Sequence, residues 1–147
     1  MNVIERTREL LESFPKISEV CGEVHVDFTD PEPTSCGLSS IGDKLVSEDV
    51  LGNQQRQHSF LLYATYSSIN DYERLSNSTA LLELSQWLHS HTGGEVTSII
   101  DDEECSGIIT EIRAENGMLY SVPQENLLSG VQYQLQITVT YTALAEN

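Results

Sequence analysis

The chain has 147 residues, the size of one ordinary domain, and its formal net charge at pH 7 is −16. This acidity disfavours binding to nucleic acids and to anionic membranes. No apolar run is long enough to span a membrane, and the first residues lack the pattern of a signal peptide. We therefore expect a single domain, residues 1–147, that is made in a cytoplasm and leaves it only within a larger assembly.

The N-terminal third predicts a helix, a strand and a long connection. Residues 2–14 repeat apolar side chains at helical spacing, and Pro15 ends the pattern. Residues 19–29 alternate with a period of two, which indicates a strand. We expect an extended break over residues 30–34. A connecting segment should follow over residues 37–53, with one short strand near residues 44–47.

The middle of the chain predicts a long strand followed by a long helix. Gly52 and Asn53 indicate a turn into a strand over residues 56–66, and this strand is apolar on both faces. Such a strand is typical of the centre of a sheet that is covered on both sides. Asn70 is suited to cap a helix that runs to about residue 91. We expect the wide apolar face of this helix to cover the last strand.

The next stretch predicts short strands and tight turns. Residues 95–100 favour a short strand, and residues 101–104 favour an acidic loop. Residues 107–114 alternate as a strand does. Asn116-Gly117 is a strong hairpin signal, from which we expect a return strand through residues 118–122 and then a loop.

The last strand carries the clearest pattern in the sequence. Its apolar positions alternate without exception with Gln and Thr, and they are Val131, Tyr133, Leu135, Ile137, Val139 and Tyr141. A period of two places all the apolar side chains on one face of a strand. The other face is polar but uncharged, which suits packing against another sheet or a subunit, a water-filled channel, or a plain solvent-facing surface. The whole pattern predicts an α+β fold: a twisted, mainly antiparallel sheet with long strands, packed against two main helices.

No candidate reaction site emerges from the motifs, so we predict no catalytic, cofactor-binding or metal-binding residues and no enzyme. Asp101 to Glu104 lack the spacing of a calcium loop. His89 and His91 point in different directions on a helix, and no zinc motif is present. The sequence also lacks a nucleophile elbow and a phosphate-binding glycine loop. Trp87 could anchor a partner, but on an apolar helix face it is more typical of a core.

The cysteines do not point to chemistry either. Cys21, Cys36 and Cys105 are odd in number, and no two of them have the C-x-x-C spacing of a metal or redox site. The carboxylates of Glu103 and Glu104 disfavour a reactive thiolate at Cys105. We interpret all three as reduced, structural residues.

Most of the chain resembles a family of small phage proteins. The resemblance rests on residues 37–66, in which Gly52-Asn53-Gln54-Gln55 leads into the long strand. It extends to the helix with Leu81-Leu82-Glu83-Leu84, to strand 131–141 and to the opening helix. Members of this family are encoded among the head–tail joining genes of phages of Gram-positive bacteria, and they are labelled minor capsid or tail-terminator proteins.

The resemblance implies a structural virion protein without a cofactor. It implies a homohexameric ring that caps the tail-tube protein and later binds the head–tail connector. The location would be the head–tail junction of the virion, after assembly in the host cytoplasm. An acidic lumen would let DNA pass without sticking, and Glu48, Asp49 and residues 101–104 are candidates to line it.

Other function classes remain open at this point. One is a different connector, a head-completion protein or a tail-tube protein. Another is a small acidic domain that binds a ligand in a pocket with convergent polar groups. A third is an acidic mimic of DNA, although the carboxylates are scattered or clumped rather than spaced like phosphates.

Overall fold

The computed structural model describes residues 1–15, 23–26, 35–66, 71–121 and 131–145. The helices and strands in these ranges are, in chain order, α1 (Val3–Glu12), β1 (Glu23–Val26), β2 (Ser35–Glu48), β3 (Gln54–Tyr66), α2 (Asp71–Ser90), β4 (Glu95–Ile100), β5 (Glu103–Ser121) and β6 (Val131–Ala143). This confirms the predicted α+β class. The expected break at 30–34, the expected cap Asn70 and the loop at 123–130 lie outside the described residues.

The strands form one sheet in the order β1-β2-β3-β6-β5-β4. The pairs β2–β3, β3–β6, β6–β5 and β5–β4 are all antiparallel. The short strand β1 pairs in parallel with β2 at the edge of the sheet. The predicted mainly antiparallel sheet with long strands is therefore confirmed. The central position belongs to β6, which pairs with β3 along its whole length.

The apolar side chains of β6 face a core that both helices share. We call this side of the sheet the inner face; it carries Leu38, Phe60, Leu62, Leu135, Ile137 and Val139, all buried. Leu11 of α1 and Leu84 and Leu88 of α2 are fully buried in the same cluster. Both helices therefore lie on the inner face. Burial of each such side chain contributes about 1.5–3 kcal/mol, which fixes which face of the sheet is turned inward.

Helix α1 begins where the sequence predicts. Asn2 is its N-cap: the Asn2 side chain accepts a hydrogen bond from the Glu5 amide at 2.9 Å, and the Glu5 carboxylate accepts one from the Asn2 amide. This reciprocal pair satisfies two backbone donors that the first helical turn leaves unpaired. The helix ends just before Phe14 and Pro15, as expected.

Helix α2 lies mainly across β5, with its apolar residues reaching the core under β6. The expectation that it covers the last strand is therefore only partly met. Trp87 is half-buried and packs against Phe14, with ring centroids 5.4 Å apart, so it belongs to the core margin as predicted. Across the described part of the chain, neither helix is long and apolar enough to cross a membrane.

Two connections predicted from turn residues are wrong. Residues 37–48 belong to one continuous strand, and Gly42 lies at a bulge within it, with φ at +153°. Asn116 and Gly117 do not form a hairpin, because β5 runs through them from Glu103 to Ser121. The register between β5 and β6 shifts at this point, so the two residues mark a bulge instead. Turn residues fit both structures because each needs an irregular backbone.

The acidic loop predicted at residues 101–104 is also shorter than expected. Asp101 and Asp102 form the turn between β4 and β5, with φ of 51° and 63°. Positive φ at both central residues is typical of a two-residue hairpin turn, in which Asp is tolerated. Glu103 and Glu104 already belong to β5.

Candidate functional site: a polar cluster and a charge-free sheet face

A polar cluster lies on the inner face where β2, β3 and β6 adjoin. The strand register places Asp43 of β2 opposite His58 of β3, and Arg56 of β3 opposite Tyr141 of β6. Directly opposed residues point to the same side of a sheet. Pairing alone therefore brings a carboxylate, an imidazole, a guanidinium and a phenol together.

Asp43 is the acceptor at the centre of this cluster. Its Oδ1 accepts a hydrogen bond from Arg56 Nε at 2.5 Å. Its Oδ2 accepts one from the Tyr141 hydroxyl at 2.6 Å and contacts His58 Nδ1 at 2.9 Å. Arg56 also donates to Gln54 Oε1 at 2.8 Å. A half-buried carboxylate with three donors is well satisfied, so the cluster ties three strands together.

The same contacts shift the protonation equilibria. Burial alone would raise the pKa of the Asp43 carboxyl, but hydrogen bonds from Tyr141, Arg56 and His58 outweigh it and lower the pKa below its usual value. Burial raises the pKa of Tyr141 to about 12, and its hydrogen bond to the Asp43 carboxylate adds to the shift. At neutral pH the cluster therefore holds an ionised carboxylate and a neutral phenol.

Ser40 extends the cluster on the other side of His58. Its hydroxyl oxygen lies 2.5 Å from His58 Nε2, while His58 Nδ1 faces Asp43. The order Ser40–His58–Asp43 is that of a serine, its base and the carboxylate that orients the base. Such a chain can move a proton from the hydroxyl to the imidazole.

An open cleft of about 590 Å³ adjoins the cluster. Asp43, Arg56 and His58 of the cluster line this cleft, together with the N-terminal residues and residues of β4 and β5. The Met1 carbonyl accepts a hydrogen bond from the Thr97 amide at 2.8 Å, which ties the N-terminus to β4 beside the cleft.

The opposite side of the sheet, the outer face, is a second candidate. Its centre consists of positions on β3 and β6 that pair directly, namely Gln55, Gln57, Ser59, Leu61, Tyr63, Gln134, Gln136, Thr138, Thr140 and Thr142. None of these side chains is charged, and most are half-buried. Neither described helix covers them. The prediction that β3 is covered on this face as well remains a prediction, and its place inside the sheet is confirmed.

Charged residues flank this uncharged centre. Lys44 on β2 pairs with Gln57, and Glu111, Arg113 and Glu115 on β5 pair with Thr140, Thr138 and Gln136. Protein interfaces share this arrangement: their centres are depleted of charged residues and their rims are polar. The Gln and Thr face of β6 is therefore part of a wider charge-free surface that also includes β3.

The turn between β2 and β3, the hairpin turn of residues 49–53, is a third candidate. Val50 is 101% exposed and Leu51 is 62% exposed. Beneath them the Asp49 carboxylate accepts hydrogen bonds from the Leu51 amide, the Asn53 amide and the Asn53 side chain, at 2.9 to 3.0 Å. The turn predicted at Gly52-Asn53 is confirmed, with φ of 88° at Gly52. The protein thus holds two apolar side chains in water on a fixed backbone.

The residues singled out from the sequence do not form a joint site. His89 contacts the Ile112 carbonyl, and His91 contacts the Trp87 carbonyl and stacks on its ring. Cys105 is buried, with its thiol 3.4 Å from the Ser98 carbonyl. Glu48, Asp49 and residues 101–104 are all exposed. Within the described ranges, no three His, Cys, Asp or Glu side chains converge as metal ligands.

Sequence reasoning missed the polar cluster, although one signal pointed to it. The turn at Gly52-Asn53 was predicted, and counting back from a hairpin centred there places Asp43 close to His58. An irregularity at residues 45–47, between the turn and Asp43, shifts this count by one residue, so the exact pairing depends on the structure.

Comparison with known proteins adds no family. A scan against protein-family models finds no match, and no curated protein matches the chain significantly.

Proposed function

We propose that this protein is a phage tail terminator, a structural protein that closes the tail tube as a ring and joins the tail to the head. The proposal starts from the sequence resemblance of residues 37–66, 81–88 and 131–141. The single observation that supports it best is the outer face: a charge-free, half-buried surface on a chain whose net charge is −16.

Electrostatics explains why this surface matters for self-association. Copies of a chain with this charge repel one another, and the repulsion is weakest where a surface carries no charge. Gln and Thr side chains can hydrogen-bond across such a contact without adding charge. The centre of the outer face is therefore the part of the described surface best suited to meet another copy.

A ring needs two different contact surfaces on each subunit. In a closed ring each subunit presents one patch to the preceding neighbour and another to the next. The hairpin turn of residues 49–53 supplies a second surface, since Val50 and Leu51 are exposed on a backbone that Asp49 already holds in place. A preordered turn loses little conformational entropy when it binds.

The mechanism we propose is mechanical. Subunits add to the end of the growing tube, and closure of the ring removes the surface that would accept another tube subunit. The opposite side of the ring then binds the connector. Exposed carboxylates such as Glu48 and Asp102 would face the lumen and keep passing DNA from adhering.

The proposal is tested by the mass of the purified protein in solution, with and without purified tail tubes, followed by negative-stain imaging. We expect closed hexameric rings, either free or at tube ends. Long tubes would indicate a tube protein instead, and a monomer that ignores tube ends would refute the proposal.

One variant and a matched control locate the interface. Thr138→Lys places a charge in the centre of the outer face, whereas Gln86→Lys places the same charge on the exposed surface of α2. We expect the first to abolish rings while keeping the circular dichroism spectrum of the parent protein. The second should assemble normally. Equal assembly by both would exclude the outer face as the contact.

A further inference from the structure

Hydrogen bonds connect the side chains of Ser40, His58 and Asp43 in series, and this arrangement indicates a role beyond assembly. We propose that Ser40 is a nucleophile that accepts an acyl group from a carboxylic ester, with His58 as its general base and Asp43 as the positioning residue for His58. This inference does not depend on the tail-terminator proposal.

The hydrogen-bond pattern sets the roles of the two imidazole nitrogens. Asp43 is held as a carboxylate by Arg56 and Tyr141, so it accepts a hydrogen from His58 Nδ1 across 2.9 Å. In neutral His58 this leaves Nε2 with a free lone pair, and Nε2 faces the Ser40 oxygen at 2.5 Å. The serine proton therefore has an acceptor that is already oriented.

The solvent exposure of Ser40 and His58 differs in the way expected of a nucleophile and its base. Ser40 is exposed, whereas the His58 side chain is only 8% exposed and is packed against the ring of Phe60 at a centroid distance of 4.6 Å. Nucleophilic catalysis is favoured by a base held in a buried position and a hydroxyl that is accessible to substrate.

The backbone at Ser40 is irregular. The pairing between β2 and β3 passes from Ser40–Phe60 to Gly42–Ser59, so Ile41 has no direct partner. Gly42 has φ at +153°, and no atom lies within 4 Å of where its Cβ would be. Bulges of this kind often lie next to active sites, where they redirect a side chain. In hydrolases that use a nucleophile elbow, the amide after the serine stabilises the oxyanion, and Ile41 holds that place here.

The charge of the chain selects the substrate class. An acidic protein repels phosphate esters and other anions, whereas a neutral carboxylic ester meets no such barrier. Ile41, which follows Ser40 on β2 and is 51% exposed, offers an apolar contact to the ester.

Ser40 Oγ forms a bond to the ester carbonyl carbon while its proton passes to His58 Nε2. The carbonyl electron pair moves to oxygen and returns as the bond to the leaving alkoxide breaks. His58 gives the proton to that alkoxide, and an acyl ester of Ser40 remains. Water then repeats the sequence, which releases the acid and restores the serine.

The test uses the full chain with p-nitrophenyl acetate, and it follows both p-nitrophenolate release and the position of the acetyl group. We expect a burst of roughly one p-nitrophenolate per chain and an acetyl group on the peptide that contains Ser40. Ser40→Ala and His58→Gln should lose the burst and slow acylation at least on the order of 10²-fold. Ser47→Ala is the matched control, because Ser47 is another exposed serine on β2 that hydrogen-bonds across to β3; it should react like the parent.

Peptide mapping of the acetylated parent protein, which carries no substitution, keeps the test independent of whether a variant folds. Acetylation found only on the Met1 amine or on lysines would overturn the proposal, as would an unchanged burst in a folded Ser40→Ala protein.

Discussion

Gly107 of β5 lies directly against the backbone of Thr142 of β6, so a Cβ at Gly107 would overlap the Thr142 carbonyl. Around this contact Ser106 accepts a hydrogen bond from the Leu144 amide at 2.9 Å, and the Ile108 amide donates to Thr142 Oγ1 at 3.2 Å. The absence of a side chain at Gly107 therefore lets β5 cross close to the end of β6.

Gly107→Ala should destabilise the protein markedly, because the overlapping atom belongs to the backbone of the central strand and cannot rotate away. We expect a loss of about 1–3 kcal/mol in the free energy of unfolding, or more if the strands separate. Urea denaturation followed by circular dichroism measures it. The neighbouring change Ser106→Ala alters an exposed side chain and should leave the midpoint nearly unchanged. Equal midpoints for the two variants would contradict the close approach.

Asp43→Asn should destabilise the polar cluster at neutral pH. An amide keeps one acceptor oxygen, but its NH₂ group must face either Arg56 or the Tyr141 hydroxyl, which are both donors, so we expect a loss of about 1–3 kcal/mol. Asp102→Asn is the control, since it removes the same charge in an exposed turn where Asn tolerates positive φ.

The acid side of the stability profile should also depend on Asp43. The folded-state pKa of Asp43 lies below its ordinary value of 3.8. The contribution of the ionised carboxylate is therefore complete above that pH and is lost as the pH falls through the folded-state pKa. The Asp43→Asn protein should lose less stability than the parent below about pH 4. Parallel acid profiles for the two proteins would show that Asp43 does not couple to folding.

Tyr141→Phe should alter stability at alkaline pH. The pKa of Tyr141 is raised from 10.0 to about 12 in the folded chain, so its contribution is complete below pH 10 and is lost between pH 10 and 12. Phenylalanine cannot titrate, and its free energy of unfolding should fall less steeply across this range. At neutral pH the lost hydrogen bond to Asp43 should cost about 0.5–1.5 kcal/mol. Absorbance of tyrosinate during an alkaline titration checks the assignment, and a titration step of Tyr141 near pH 10 would contradict it.

The parts of the fold that were predictable from sequence are those set by local periodicity. The alternation of residues 131–141 gave both the strand and its buried face, because period two depends only on neighbouring residues. The helix 2–14 was equally local, and its cap Asn2 lies beside it in the chain. The class of the fold followed from these elements.

The predictions that were wrong or missed share a different cause. Gly42 and the pair Asn116-Gly117 are as well suited to bulges as to turns, and pairing with a distant strand decides between the two. The Ser40–His58–Asp43 arrangement depends on register across the β2–β3 hairpin, which a bulge shifts by one residue. No motif within a short window of sequence carries that information.

The place of β6 in the sheet has a consequence for how the chain folds as it is synthesised. β6 is the last of the described strands to be synthesised, yet it forms the bridge between β3 and β5. Until it arrives, the two halves of the sheet have open edges and the apolar core has no centre. The hairpins β2–β3 and β4–β5 can pair earlier, but the pairing that joins them must wait until β6 has emerged. Because most strand contacts join distant residues, we expect slow folding and a nascent chain that depends on chaperones.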